Sequence, residues 1–121
     1  MDPELAEIAK ELGLHRAKRH IFLCCDQTKP KCCRKEVGLE SWKYLKARLS
    51  ELGQGEPRLL RSKVNCLRVC QCGPIAVVYP EDVWYRSCTT EVLARIVDEH
   101  LVGGRIVEEF RIAPPATSLQ A

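Results

Sequence analysis

The eight cysteines of this 121-residue chain constrain its chemistry more than any other feature of the sequence. All but Cys88 fall in two segments, at positions 24, 25, 32 and 33 and at positions 66, 70 and 72. The amino terminus is acidic and lacks the apolar core of a secretory signal, so we expect a cytoplasmic protein. Because cytoplasmic thiols are kept reduced, the cysteines are expected to bind a metal rather than to form disulfides.

The composition is that of one ordinary globular domain. Hydrophobic residues make up 45% and charged residues 29% of the chain, and the net charge is +3. No apolar run approaches the roughly 20 residues that a membrane-spanning helix needs, so we expect no membrane insertion. A charge this small neither requires nor excludes an anionic partner, and it is too modest to indicate nucleic-acid binding.

Apolar periodicity and turn residues predict one α/β domain with a mixed sheet. Helices are predicted over 2–13, 38–52 and from Thr89 or Thr90 to about 102, and strands over 20–23, 58–64, 75–79 and 83–85. We expect residues 1–19, a helix and a basic link, to precede a core domain of residues 20–112 and a flexible tail of residues 113–121. Each cysteine segment directly follows a predicted strand, so both loops are expected at the same end of the sheet.

The spacing of the cysteines favours a site of four thiolates without choosing its metal. The intervals are C-C, C-x6-C, C-x3-C and C-x-C, and the C-x2-C pair common in zinc sites does not occur. The cysteine spacings of plant-type and of bacterial four-iron ferredoxins are also missing. The three histidines, His15, His20 and His100, lie outside the cysteine segments. Thiolate-only ligation suits zinc and iron–sulfur centres alike, so both stay open on spacing alone.

Four stretches of sequence form a more specific combination of motifs. They are HIFLC at 20–24, the basic loop up to Cys33, NCLRVC at 65–70 and GPIAVVYPEDVWY at 73–85. This combination resembles the thioredoxin-like [2Fe–2S] ferredoxins, which are related to the small iron–sulfur subunit of respiratory NADH dehydrogenases. The resemblance runs from about residue 19 to residue 112. It implies a thioredoxin-like α/β fold, with a mixed central sheet flanked by helices, and it implies a homodimer. The predicted N-terminal helix, residues 2–13, is an extra element outside the core of that family.

The same resemblance implies one [2Fe–2S] cluster per chain and a ligand set for it. The implied ligands are Cys24, Cys33, Cys66 and Cys70. Cys24 is preferred within its doublet because it follows the opening strand in register with His20, whereas Cys32 is nearly as good a second ligand as Cys33. The other cysteines, Cys25, Cys72 and Cys88, are expected to be packed or spare thiols.

The implied function is that of a small soluble ferredoxin that carries single electrons between redox proteins, a reductase or an oxidase, without catalysis of its own. Two alternatives remain on the sequence: a zinc-binding interaction module with four cysteine ligands, and an iron–sulfur sensor or cluster-transfer protein. A thiol–disulfide oxidoreductase is disfavoured because the C-x-x-C motif of that chemistry is missing. The basic loop of residues 29–35 is either a solvated segment or a docking element for an acidic partner.

Overall fold

The computed structural model of the chain describes residues 2–25, 27–28, 33–53, 58–69 and 71–113. The elements are α1 (Pro3–Leu12), β1 (Ala17–Cys24), α2 (Lys35–Leu52), β2 (Arg58–Val64), β3 (Ile75–Tyr79), β4 (Val83–Tyr85), α3 (Thr90–Arg95), a π-helical continuation (Ile96–Val102) and a 3-10 turn (Glu108–Phe110). The strands form one sheet in the order β2-β1-β3-β4. Strand β1 is parallel to β2 and antiparallel to β3, which is antiparallel to β4, so the predicted mixed α/β sheet is confirmed.

Strands β1 and β2 are joined by α2 in a β-α-β crossover, which sets where the two cysteine segments begin. The parallel register pairs Ala17 with Arg58 at one end and Cys24 with Val64 at the other. Parallel strands joined by a helix start and finish at the same edges of a sheet. Both cysteine segments therefore leave the sheet at its upper edge, defined here as the carboxyl ends of β1 and β2.

The core lies between the sheet and the helices α2 and α3. Ile21 and Leu23 of β1 face this side and are fully buried, and α2 contributes Leu45 and Leu49. The inward face predicted for the last helix is confirmed, because its apolar members are all buried: Leu93, Ile96, Val97 and Leu101. Each such side chain contributes about 1.5–3 kcal/mol by leaving water, so this layer is the main hydrophobic stabilisation of the fold.

Helix α1 has the ends that its sequence predicts, but its apolar face is not covered. The carboxylate of Asp2 accepts hydrogen bonds from N–H groups of the first turn, and Gly13 ends the helix with a φ of 73°. Leu5 is 62% exposed, and Ile8 and Leu12 are about half exposed. The helix is attached to the amino end of β2, where the Arg58 side chain donates to the Leu12 carbonyl at 3.1 Å. The extra N-terminal helix is thus confirmed as an addition outside the core.

Several boundaries differ from the sequence predictions. Strand β1 begins at Ala17 rather than at residue 20 because its first residue pairs with β2. Helix α2 begins at Lys35 rather than at residue 38, and Leu52 at its other end is 40% exposed rather than part of the buried stripe. The last helix changes to π geometry at Ile96. The predicted tail lies outside the described residues from position 114 onward.

A chain of hydrogen bonds crosses the core from the C-terminal segment to the turn after β3. The Val107 N–H donates to the Tyr85 hydroxyl oxygen at 3.0 Å, and that hydroxyl lies 2.8 Å from Nδ1 of the fully buried His100. His100 Nε2 lies 2.9 Å from Glu81 Oε1, and Arg19 donates to the same carboxylate at 3.1 Å. Burial lowers the pKa of His100, although the neighbouring carboxylate acts in the opposite direction. Neutral His100 therefore accepts from Tyr85 at Nδ1 and donates to Glu81 from Nε2.

Candidate metal centre

Cys24 and Cys66 leave the sheet side by side. Cys24 is the last residue of β1, and Cys66 follows the end of β2 by two residues. The Cys24 thiol donates to the Asn65 carbonyl oxygen, with the sulfur 3.6 Å from that oxygen. The first predicted ligand therefore contacts the residue directly before Cys66, the third predicted ligand. The Cys25 N–H reinforces this approach by donating to the Val64 carbonyl at 3.4 Å. The expectation that both loops emerge at one end of the sheet is met.

Cys33 lies in the same apolar cluster as Cys24. The cluster is on the side of the sheet that faces away from α2 and α3, with Cys24 and Ile75 buried at its centre. Its partly buried members are Cys33, Val64, Leu67, Trp84 and Ile112. Because α2 begins two residues after Cys33, the first turn of that helix fixes the position of Cys33, the second predicted ligand, relative to the sheet.

The exposed Cys66 sulfur receives a hydrogen bond from the backbone of its own loop. The Arg68 N–H donates to the Cys66 sulfur across 3.2 Å. Arg68 has a φ of 71°, an uncommon conformation for a residue with a side chain. The N–H that points at the sulfur thus belongs to a residue with left-handed backbone geometry. Hydrogen bonds to cluster sulfurs are one of the controls on the reduction potential of an iron–sulfur centre. Sequence reasoning missed this donor, because a positive φ at arginine leaves no signature in the sequence.

A pair of side-chain hydrogen bonds joins the two cysteine loops. The Asn65 carboxamide accepts from the Thr28 N–H at 3.2 Å and donates to the Thr28 hydroxyl at 2.8 Å. We call this pair the loop clamp. Thr28 belongs to the first cysteine segment and Asn65 to the second, so the clamp joins the loops through protein atoms alone. An asparagine directly before Cys66 was its only sequence signal.

Two further cysteines belong to the core rather than to this edge. Cys25 and Cys88 are 2% and 0% exposed and pack between the sheet and the helices. Burial raises the pKa of the Cys88 thiol far above its ordinary value, so this group stays protonated. Both cysteines are thus packed thiols, as expected. Cys72 is exposed, and its carbonyl accepts from the Ser87 N–H at 2.6 Å.

The predicted ligand set is only partly described. Cys70, the fourth predicted ligand, and Cys32, the alternative second ligand, lie outside the described residues. Within the part of the chain that the structure describes, no three cysteine, histidine or carboxylate side chains come close enough to hold a metal. The described thiols at this edge fit the soft ligation of an iron–sulfur cluster. Cys24 and Cys33 lie in an apolar cluster, and the Cys66 sulfur receives an amide N–H. A membrane-spanning helix is also not found among the described residues.

Comparison with known proteins finds relatives that cover most of the chain, although no family model matches. A putative 2Fe-2S ferredoxin of Priestia megaterium is 31% identical over 100 residues, which are 83% of this chain and 74% of that protein. A 2Fe-2S ferredoxin of Aquifex aeolicus is 30% identical over 99 residues, covering 78% of this chain and 89% of the relative. A 2Fe-2S ferredoxin of Clostridium pasteurianum is 31% identical over 104 residues, covering 78% of this chain and 96% of the relative.

Solved structures agree with these relatives. A crystal structure of the wild-type thioredoxin-like [2Fe-2S] ferredoxin from Aquifex aeolicus has a TM-score of 0.70 at 27% identity, covering 81% of this chain and 99% of that one. Another structure of the Aquifex protein has a TM-score of 0.70 at 29% identity, covering 83% and 97%.

The fold and the thiol-bearing edge define the class as a thioredoxin-like iron–sulfur protein. At this identity and coverage, the chain belongs to the thioredoxin-like [2Fe–2S] ferredoxins, which are small electron carriers. The predictions of family, fold, [2Fe–2S] cofactor and electron-carrier function are therefore confirmed.

Proposed function

We propose that this chain holds one [2Fe–2S] cluster on Cys24, Cys33, Cys66 and Cys70 and carries single electrons between redox partners, a reductase or an oxidase among them, without catalysis of its own. A bound [2Fe–2S] cluster supplies a one-electron redox couple. The observation that supports the ligand set best is the parallel register of β1 and β2, which brings Cys24 to the residue before Cys66.

Three features of the chain support this role for the upper edge. The Arg68 N–H is directed at the Cys66 sulfur, and a hydrogen bond to a cluster sulfur is one of the controls on reduction potential. The loop clamp fixes the two loops relative to each other. The apolar cluster around Cys24 and Ile75 excludes water from one side of the site, which lowers the local dielectric constant.

Single cysteine-to-serine variants test the ligand set. In anaerobically purified protein we expect Cys24→Ser, Cys66→Ser and Cys70→Ser to lose or strongly alter the red-brown visible spectrum that dithionite bleaches, with a matching loss of iron and sulfide. Cys88→Ser is the control, since Cys88 lies in the core, and should keep the spectrum. A normal spectrum in Cys33→Ser together with its loss in Cys32→Ser would assign the second ligand to Cys32. A colourless wild-type protein with one zinc per chain would refute the proposal.

We further propose a homodimer in the cytoplasm. The family resemblance supports the dimer, and so does the side of the sheet away from the helices, where Tyr79 is 41% exposed beside the partly buried Phe22. His20 stacks on Phe22 with ring centroids 4.1 Å apart and extends this surface. Sedimentation should give twice the chain mass at micromolar concentration, and monomer alone would contradict the dimer. Cell fractionation tests the compartment.

A further inference from the structure

We propose that the upper edge of the sheet is a docking surface for an acidic redox protein, built as a basic rim around a small apolar centre. This inference rests on the proposed electron-carrier function, because docking is useful only where the electron leaves or enters. It goes further in naming the surface and the charge of the partner.

The basic rim consists of exposed cationic side chains beside the proposed ligands. Its described members are Arg34, Lys35, Lys63 and Arg68. Arg34 directly follows Cys33, and the backbone of Arg68 binds the Cys66 sulfur. Acidic residues are missing from the sequence around the second cysteine segment, since no Asp or Glu occurs from residue 57 to residue 80.

The apolar centre is the loop that carries Cys66. Val69 is 39% exposed and Leu67 is partly buried against the cluster of Cys24. Cys66 itself is exposed, so an approaching protein reaches the sulfur donor without rearrangement of the fold. Brief electron-transfer complexes use small contact areas, and charged rims speed their encounter more than they strengthen their binding.

The helix at the opposite end of the molecule is acidic. Helix α1 contains Glu4, Glu7 and Glu11 and begins after Asp2, against the single cation Lys10. It lies at the amino ends of β1 and β2, about 25 Å from the upper edge for an eight-residue strand. Arg16, Lys18, Arg19 and Arg58 lie at that same end, at the starts of β1 and β2, and offset the charge of the helix. What attracts an acidic surface to the upper edge during diffusion is therefore the local concentration of positive charge in the basic rim.

Charge-reversal variants and small oxidants of opposite charge test the surface on the cluster-bearing protein. The dithionite-reduced protein gives one electron to ferricyanide, whose Fe(III) becomes Fe(II), or to hexaamminecobalt(III), whose Co(III) becomes Co(II). Arg34→Glu or Arg68→Glu changes the local charge by two units. At about 10 Å and about 10 mM ionic strength we expect oxidation by the anion to slow by about tenfold and oxidation by the cation to accelerate. At about 0.5 M salt the difference should largely disappear.

Arg105→Glu is the matched control, because it makes the same change in net charge at an exposed site beside Gly104, which approaches Arg19 near the start of β1. We expect it to change either rate by less than twofold. Equal effects of Arg105→Glu and Arg34→Glu would overturn the proposal, since they would report net charge rather than a surface. Unchanged rates in both rim variants would overturn it as well.

A binding measurement separates this inference from the function on which it rests. Poly-L-glutamate, as an acidic probe, should bind the wild type and Arg105→Glu in low-salt calorimetry and bind Arg34→Glu at least fivefold more weakly. Equal binding by all three proteins contradicts the docking surface even if the visible spectrum is normal. If the wild-type protein lacks the [2Fe–2S] visible spectrum but still binds poly-L-glutamate more tightly than Arg34→Glu does, the electron-carrier function is contradicted. The docking surface for an acidic partner then stands without that function.

Discussion

The hydroxyl of Tyr85 is the centre of the buried hydrogen-bond chain, and removing it tests how much that chain contributes to stability. Tyr85→Phe keeps the ring in the core but leaves the Val107 N–H and His100 Nδ1 without their partner. Both groups are buried, and a buried polar group left unsatisfied costs about 1–3 kcal/mol. We therefore expect the free energy of unfolding to fall by about 2–4 kcal/mol.

Thermal unfolding followed by far-UV circular dichroism measures this loss. For a domain of this size, a loss of that order lowers Tm by about 10 °C. Tyr44→Phe is the matched control, because Tyr44 is half-buried against the same core and its hydroxyl has no hydrogen-bond partner among the described residues. Its Tm should stay within about 2 °C of the wild type. Equal shifts for Tyr85→Phe and Tyr44→Phe would refute the reasoning, since they would show that the buried chain contributes nothing specific.

Two further perturbations follow from the same core. Burial holds the pKa of His100 below its ordinary value, so the unfolded chain binds the proton more readily: the contribution of neutral His100 is complete above pH of about 6.5 and is lost as the pH falls below it. His100→Gln should therefore flatten the decline of Tm between pH 7 and pH 5, and an unchanged slope would contradict this. At Gly38, an added Cβ would lie 2.9 Å from the Cys25 Cα and closer still to its carbonyl oxygen, so Gly38→Ala should cost about 2–3 kcal/mol and weaken cluster retention. Gly53→Ala has no atom within 4 Å of the added carbon, but its φ of 84° and ψ of −177° are open essentially to glycine alone, so it should cost about 1–3 kcal/mol from backbone strain and leave cluster retention unchanged. An equal loss of cluster retention at both glycines would exclude the packing explanation.

Local signals in the sequence predicted most of the fold. The bounds of β2, β3 and β4 agree with the prediction because turn residues flank each strand. Asp2 and Gly13 end α1 as expected because capping depends only on nearby backbone groups. The apolar stripe of that helix was also correctly recognised. What covers a stripe is decided by tertiary packing, and here Leu5 and its neighbours stay exposed.

The features missed by sequence reasoning depend on residues distant in the chain. Tyr85 and His100 look like separate structural residues until the fold brings the hydroxyl to 2.8 Å from the ring. His100 lies in the π-helical segment that begins at Ile96, and the sequence pattern did not predict this change of helix geometry. At the upper edge, the cysteine spacing predicted a site of four thiolates. It did not predict the clamp, because Thr28 and Asn65 are 37 positions apart in the sequence. Pairings at such separation are set by the sheet rather than by neighbouring residues.

The loop clamp also bears on how the two cysteine loops are held together. Bringing together two points 37 positions apart in a flexible chain costs about 3 kcal/mol in closure entropy. The β-α-β crossover and the clamp offset part of that cost with backbone and amide hydrogen bonds. In a zinc finger, by contrast, the metal itself drives the chain to fold. Here, protein hydrogen bonds also join the two cysteine loops, so metal ligation is not the only link between them.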